Sequence, residues 1–375
     1  MHLISQNFLL FCFMFFCIYF TLGRTLQKLF VIAASYVFVA YASLWMAAIL
    51  ILSCVSNYFF SCVIVRSKND GVTLRYAVIS NILLLGLFKY FNFFAQSLSQ
   101  VAAEIGVHYS PAIWALVAPL GLSFYTFQAI SYLVDIRRKL FAPPAFIDFA
   151  LYLAFWPKFI AGPIIRAAWF LPQLEYRKQF KWPNLFLGVE MIVYGLFLKV
   201  VLSDNLIPQI DKVFSRPAAY DGSNALVSAF FFTFQIYGDF AGYSLMVIGI
   251  ARIMGYSVRR NFNRPNLARS FSDFWSRWHI SLSSWLEDYV FRSLVPRRGG
   301  GSGQSWASIT AMYGSILNRP AIAADDSFQN LSGDSLSYVE VALALETMLG
   351  ELPQRWERLA VSELEKILDS RRART

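Results

Sequence analysis

Runs of roughly twenty apolar residues follow one another through the first three hundred positions of this chain, around 5–22, 29–47, 48–65, 76–98, 112–135, 146–165, 184–203 and 225–255. About 20 such residues in a helix cross the hydrocarbon core of a bilayer, and a helix satisfies its own backbone groups where water is absent. The runs therefore predict a polytopic helical membrane bundle of about seven to nine spans. Composition agrees: 57% of the residues are hydrophobic and 15% are charged, against about 25% charge in a soluble globular chain. The first run lacks the basic start and small-residue cleavage site of a signal peptide, so it is expected to remain as a membrane helix.

The character changes near Gly299-Gly300-Gly301-Ser302-Gly303. The expected organisation is all-α: a transmembrane domain over 1–296, a Gly/Ser linker over 297–304 and a small soluble helical domain over 305–370. Charge divides the same way. Residues 1–300 hold 26 basic and 13 acidic residues, whereas 301–375 hold 7 basic and 10 acidic. Arg137, Arg138 and Lys139 after one run, and Arg252, Arg259 and Arg260 after another, predict cytoplasmic ends. The basic excess reads as topology and contact with anionic lipid, and no nucleic-acid partner is expected. Cys12, Cys17, Cys54 and Cys62 lie in apolar runs without CxxC spacing or a nearby histidine, so they read as small buried hydrophobes and no metal site is expected.

Four apolar segments carry residues that composition alone does not explain. In Leu85–Phe94, Lys89 is expected to snorkel to the interface. In Gly121–Arg138, Ser123, Thr126, Gln128 and Ser131 suit either helix-to-helix hydrogen bonding or a cavity lining, and Asp135 is expected at a solvated end. Phe155–Arg166 contains Pro157, Gly162 and Pro163 with Lys158 between them. Irregular backbone at membrane depth must be buried in protein or line a cavity, and intramembrane charge points to function; a re-entrant loop beside an active chamber and an interfacial elbow both fit. In Phe234–Tyr256, Asp239 must find a donor or stay protonated, because an isolated buried carboxylate is costly. Structural hydrogen bonding and direct catalysis are both open to it.

Ser270–Val290 opens with Ser270 and Asp273 at capping-box spacing. Phe271, Phe274, Trp275, Trp278, Leu282, Trp285, Leu286 and Tyr289 then recur in threes and fours, which predicts one continuous amphipathic helix with His279 on its apolar stripe. A histidine so placed is most often a satisfied core residue. The chain has only two others, His2 and His108, and a neutral imidazole in a dry pocket can take a proton from a hydroxyl.

The blocks LGLFKYFNFF (85–94), GLSFYTFQAISYLVDIRR (121–138), FWPKFIAGPIIR (155–166), FLPQL (170–174), the Asp239 segment and DFWSRWHISLSSWLEDYV (273–290), in this order, resemble the membrane-bound O-acyltransferase family, especially its bacterial alginate O-acetyltransferase branch. The resemblance implies a helical membrane enzyme that passes an acyl group to a hydroxyl of a polysaccharide, glycan or lipid acceptor. His279 matches the first of two family histidines, and Lys158 and Asp239 are the remaining candidate catalytic residues. The family pattern has a second histidine downstream, but none follows His279 here. A truncated membrane domain is therefore expected, with a non-catalytic membrane-anchored carrier serving a separate transferase as the alternative reading.

Residues 305–370 in turn resemble an acyl carrier protein on the block NLSGDSLSYVEVALALETMLG (330–350). That resemblance implies a 4′-phosphopantetheine arm on Ser335, with Asp334 beside it and a helix N-terminus favouring the phosphate. Gly350 and Pro353 are expected to end the helix, and another should begin at Ser362 with Glu365 at capping-box spacing. A bare GDSL string also occurs in esterases, but no Asp-His partner follows Ser335. The implied partners are a phosphopantetheinyl transferase, an acyl-charging enzyme, the hydroxyl-bearing acceptor and membrane lipid. The implied location is a bacterial-type inner membrane with the carrier on the cytoplasmic side.

Overall fold

In the computed structural model, the described residues are 5–105, 118–159, 162–294, 308–317, 321–331 and 355–372, with 338, 341, 342, 344, 345, 348, 349 and 353. Among them every regular element is helical, one isolated antiparallel bridge between Ser327 and Ala360 aside. The chain forms two compact units, Met1–Tyr289 and Val290–Thr375.

In the first unit, five helical stretches are long and apolar enough to cross a membrane. Three are single helices early in the chain: α2 (Arg24–Ala42), α3 (Leu44–Arg66) and most of α4 (Asp70–Glu104). The fourth, Trp182–Phe214, runs through α8 (Trp182–Leu196), a π-helical segment Phe197–Ser203 and α9 (Asp204–Phe214). The fifth is α10 (Gly222–Ile253). Their outward residues, among them Leu83, Phe94, Phe186 and Phe230, are exposed and apolar, as lipid-facing positions require.

Three expected spans come out shorter. α1 (Gln6–Tyr19) has 14 residues and α5 (Leu122–Arg137) has 16, residues 106–117 before it lying outside the described set. The run at 146–165 is not a spanning helix. It holds the eight-residue α6 (Phe146–Leu153) and a 3-10 turn, Trp156–Phe159. Pro157 brings no amide proton to continue the ladder, and its ring crowds the preceding turn. The turn is buried, with Trp156 at the centre: the rings of Phe8, Phe11, Phe15 and Phe38 lie 6.0, 5.1, 5.5 and 5.9 Å from it. After it come the short α7 (Ala167–Phe170) and a 3-10 turn over Leu171–Glu175.

α8 and α10 pack closely at facing glycines. A Cβ placed on Gly249 would lie 2.5 Å from the Gly188 carbonyl oxygen, and one on Gly195 would lie 2.6 Å from that of Gly242. Contact this close is the membrane packing that small residues allow.

The second unit is a small helical body. Ile309, Met312, Tyr313, Phe328, Trp356 and Leu364 lie in its core, with Val341, Leu345 and Leu349 at one-turn spacing in helical backbone. Its last helix starts at Val361, one residue before the expected Ser362, and Glu363 rather than Glu365 accepts the backbone N–H at its start, from Ala360 at 2.9 Å. Glu365 instead ties the helix to Thr310, accepting its N–H at 3.0 Å and its hydroxyl at 2.9 Å.

Candidate functional site

The predicted continuous helix over 270–290 breaks at His279. Ser270 caps α11 (Phe271–Arg277) as expected, its hydroxyl accepting the Asp273 N–H at 3.1 Å, while Asp273 accepts the Arg269 N–H at 3.1 Å. Trp278 is then extended, and His279 takes left-handed backbone angles (φ 42°, ψ 52°) before α12 (Ile280–Trp285) and a π-helical segment, Leu286–Phe291. The break is held by the neighbouring stretch, where the Asn261 carbonyl accepts the Ile280 N–H at 2.8 Å and Asn263 donates to the Arg277 carbonyl at 3.0 Å. A non-glycine residue in this conformation costs of order 1–3 kcal/mol and persists only where its surroundings over-determine it.

The break also divides the aromatic stripe. Phe271 and Trp275 on α11 are exposed. Trp285 on α12 is buried, donates from its indole to the Phe127 carbonyl at 2.8 Å and packs on the Phe127 ring at 4.6 Å. The Ser281 hydroxyl accepts the Ile164 N–H at 3.0 Å, so α12 lies against the stretch that follows Lys158.

His279 sits against Phe240 of α10, ring centroids 4.6 Å apart and planes at 88°. Its Nε2 is buried without a protein partner. Burial pushes the imidazole down to about 4, so at neutral pH it is uncharged. Asn261, 1% exposed, has neither its amide oxygen nor its amide nitrogen paired with protein. A buried polar group left unpaired costs about 1–3 kcal/mol, a cost that a substrate hydroxyl or carbonyl beside these atoms would remove. Nothing in the sequence marked Asn261, one of three asparagines, with Asn263 and Asn266, in an irregular stretch.

Asp239 has found a donor. It accepts from Nζ of Lys199 at 2.7 Å, and the same ammonium pairs with Asp204 at 2.5 Å. Lys199 lies in the π-helical segment, a form frequent at functional sites. The Ser203 hydroxyl, also in that segment, donates to the Gln235 carbonyl at 3.0 Å. Asp239 is one residue from Phe240, whose ring packs on His279, but no hydrogen bond joins it to the imidazole Nε2, which has no protein partner.

Lys158 is fully buried in the core of the first unit. Its Nζ donates to the Gln128 side-chain oxygen and, at 2.8 Å, to the Tyr152 carbonyl. Of the polar residues singled out on α5, Gln128 is therefore the one that meets Lys158. Ser131 bonds back within its own helix, to the Gln128 carbonyl at 2.9 Å. Lys89 is exposed on α4, as expected for snorkelling.

Asp135 is not at a solvated end. It is 3% exposed and accepts the Tyr289 hydroxyl at 2.7 and 2.8 Å. Arg166 stacks over the Tyr289 ring at 4.4 Å and pairs with Asp288 at 3.0 Å, while Arg138 donates to the Asp288 carbonyl at 3.0 Å. The end of α5, the stretch before α7 and the π-helical turn after α12 are thus fastened together. Ser335 and Asp334 lie outside the described residues, as do His2 and His108.

Comparison with known proteins agrees with this architecture. The model of the membrane-bound O-acyltransferase family matches residues 59–313. The protein named "Probable alginate O-acetylase AlgI" from Pseudomonas aeruginosa is 36% identical over 308 residues, 79% of this chain and 58% of its own length. A peptidoglycan O-acetyltransferase of Helicobacter pylori is 32% identical over 72% of this chain and 56% of its own. A teichoic acid D-alanyltransferase of Bacillus subtilis is 29% identical over 61% of this chain and 56% of its own. The chain therefore spans a little over half the length of the curated relatives it matches.

Proposed function

We infer the reaction from membership: the chain belongs to the membrane-bound O-acyltransferase family, and its reaction is transfer of an acyl group from a thioester to the hydroxyl of a polysaccharide, glycan or lipid acceptor. The observation that carries this reading is the His279 elbow, a neutral imidazole in a desolvated pocket with Nε2 unclaimed by protein. His279 accepts the hydroxyl proton as the new C–O bond forms at the carbonyl carbon. The C–S bond then breaks, and the imidazolium returns the proton to the departing sulfur. General-base help of this kind contributes about 10²–10⁴-fold. Asp239, held by Lys199, stiffens the α10 wall that presents Phe240 to the imidazole. Lys158 and Gln128 stiffen the buried turn leading to the stretch on which α12 rests.

The acyl donor in this proposal is the chain's own carboxy-terminal unit, with Ser335 as the attachment point and Asp334 beside it. Support comes from the carrier-like sequence pattern and from the buried, helically spaced Val341, Leu345 and Leu349 that follow. Ser335 would hold 4′-phosphopantetheine through a phosphodiester, and that group supplies a thiol carrying the acyl chain. A phosphopantetheinyl transferase and a charging enzyme would load it. The membrane would be an inner membrane, with the basic ends at Arg137–Lys139 and Arg252–Arg260 and the carrier in the cytoplasm.

Coexpression with a phosphopantetheinyl transferase followed by intact-mass analysis tests both halves. The expected result is an adduct on the wild-type chain, absent from Ser335→Ala, whose acyl load moves to a hydroxyl acceptor in a reaction lost in His279→Ala. An unmodified wild-type chain removes the fused-donor proposal. An arm that loads but never discharges removes the enzyme and favours an anchored carrier serving another transferase.

A further inference from the structure

The contact between Gly188 and Gly249 that draws α8 against α10 leaves a wedge beside it. Leu187 and Met191, one turn apart on α8, form one wall, and Ile248 and Arg252, one turn apart on α10, form the other. The chain turns back after Gly255 (φ 90°), and Tyr256–Val258 close the third side. The cavity has a volume of about 210 Å³, roughly seven waters' share of the liquid. Leu187, Met191, Ile248 and Val258 give it a mainly apolar lining. Arg252 also lines it, with its Nε buried without a protein partner, and forms none of the ion pairs among the described residues. Further cations lie nearby: Lys178 over the ring of the cavity-lining Tyr256 at 4.8 Å, and Arg259 over Trp169 at 4.9 Å.

We propose that this wedge is a binding site for an anionic phospholipid. The phosphodiester sits at Arg252, and the beginning of an acyl chain lies on Leu187, Met191 and Ile248. Place and chemistry both argue for lipid over a free anion. The wedge lies at the ends of two membrane-length stretches, and Leu187 is exposed on the side where hydrocarbon meets the helix. A small inorganic anion would meet the guanidinium and leave the apolar floor unused. A zwitterionic lipid would bring its own cation next to Arg252 and Lys178. A guanidinium reads phosphate with paired, charge-assisted hydrogen bonds, and basic pockets between helices at a cytoplasmic face suit anionic headgroups.

The test uses the full chain in neutral detergent, titrated with phosphatidylglycerol, phosphatidylcholine or sodium phosphate and read by thermal shift and native mass spectrometry. Phosphatidylglycerol is expected to raise the melting temperature and to be retained in the gas phase, with phosphatidylcholine and phosphate giving little. Arg252→Gln should weaken phosphatidylglycerol binding about tenfold. Arg252→Lys should keep the preference in part, and Met191→Trp, which fills the floor without touching charge, should abolish retention. Arg216→Gln, in the α9–α10 connection at the far end of α10 from Arg252, should change nothing. If both Arg252→Gln and Met191→Trp titrate like the wild type, or if phosphate alone reproduces the shift, the site is not a lipid site. Should Arg252→Gln fail to fold, Arg252→Lys and Met191→Trp decide the matter alone.

Discussion

His279 carries two separate costs, a left-handed backbone and a desolvated ring, and each predicts a measurement. With the imidazole held down to about 4 against an ordinary value of about 6.5, the unfolded chain binds the extra proton first as pH falls. Stability is therefore full above pH 6.5, declines from there to about pH 4 and then levels off. His279→Gln should remove that segment of the melting-temperature curve. Transfer should lose rate in the same direction as with a surface histidine but at lower pH: Nε2 stays available through pH 5, and the rate falls only as pH passes through about 4. A rate that halves near pH 6.5 would show a solvated ring and remove the dry pocket. Asn261 next door separates stability from function. Both its amide atoms already lack protein partners, so Asn261→Leu should leave the melting temperature unchanged or higher. Its transfer rate should nevertheless fall at least tenfold if those atoms meet substrate. A destabilised Asn261→Leu with a normal rate would mark the amide as purely structural.

At the scale of elements, the elbow between α11 and α12 depends on contacts far away in the chain. Tyr289 reaches back to Asp135, and the Asn261 carbonyl takes the Ile280 amide. Tyr289→Phe deletes the hydroxyl that Asp135 relies on, and a lost hydrogen bond to a buried charge costs about 1.5–3 kcal/mol. Urea or thermal unfolding in detergent should register that loss. A variant as stable as wild type would mean that Arg166 and Arg138 alone hold the carboxylate. The same long-range bonds explain what could be read beforehand. Apolar runs and the Ser270 cap are local, and the long helices and the start of α11 follow from them. His279 stood out in the sequence as the candidate among three histidines, yet its conformation did not, because the periodicity of Trp275, Trp278 and Leu282 continues smoothly through a break set by residues 261–263. Pro157 made the short α6 foreseeable in kind, although a 20-residue apolar run concealed it by count. The Lys199 partner of Asp239 was invisible for a related reason: forty residues separate them, and the packing of the π-helical segment against α10 brings them together. Asp135 read as solvated because its sequence neighbours are Arg137 and Arg138, whereas its spatial neighbour is Tyr289.

At the scale of the whole molecule, the proposed placement of donor and transferase on one polypeptide predicts a particular kinetic order. Two modules joined on one chain meet at effective concentrations of about millimolar, far above the micromolar concentrations of a purified membrane protein. Once Ser335 is charged, discharge to a saturating acceptor should be first order and unchanged over a hundredfold dilution of protein at constant detergent. Two variants then separate the routes. Ser335→Ala keeps the imidazole but has no arm, and His279→Ala keeps the arm but has no base. Mixed at about 1 μM, the pair can react only between chains, and its rate should fall roughly a thousandfold below that of the intact chain and rise in proportion to concentration. If the mixture matches the wild type, the tether contributes nothing and the carrier serves any transferase it meets. If the wild type itself slows on dilution, transfer passes between chains even when one chain holds both parts. Flat kinetics in the wild type with linear kinetics in the mixture would locate the benefit of fusion in proximity alone, with no new contact needed to explain it.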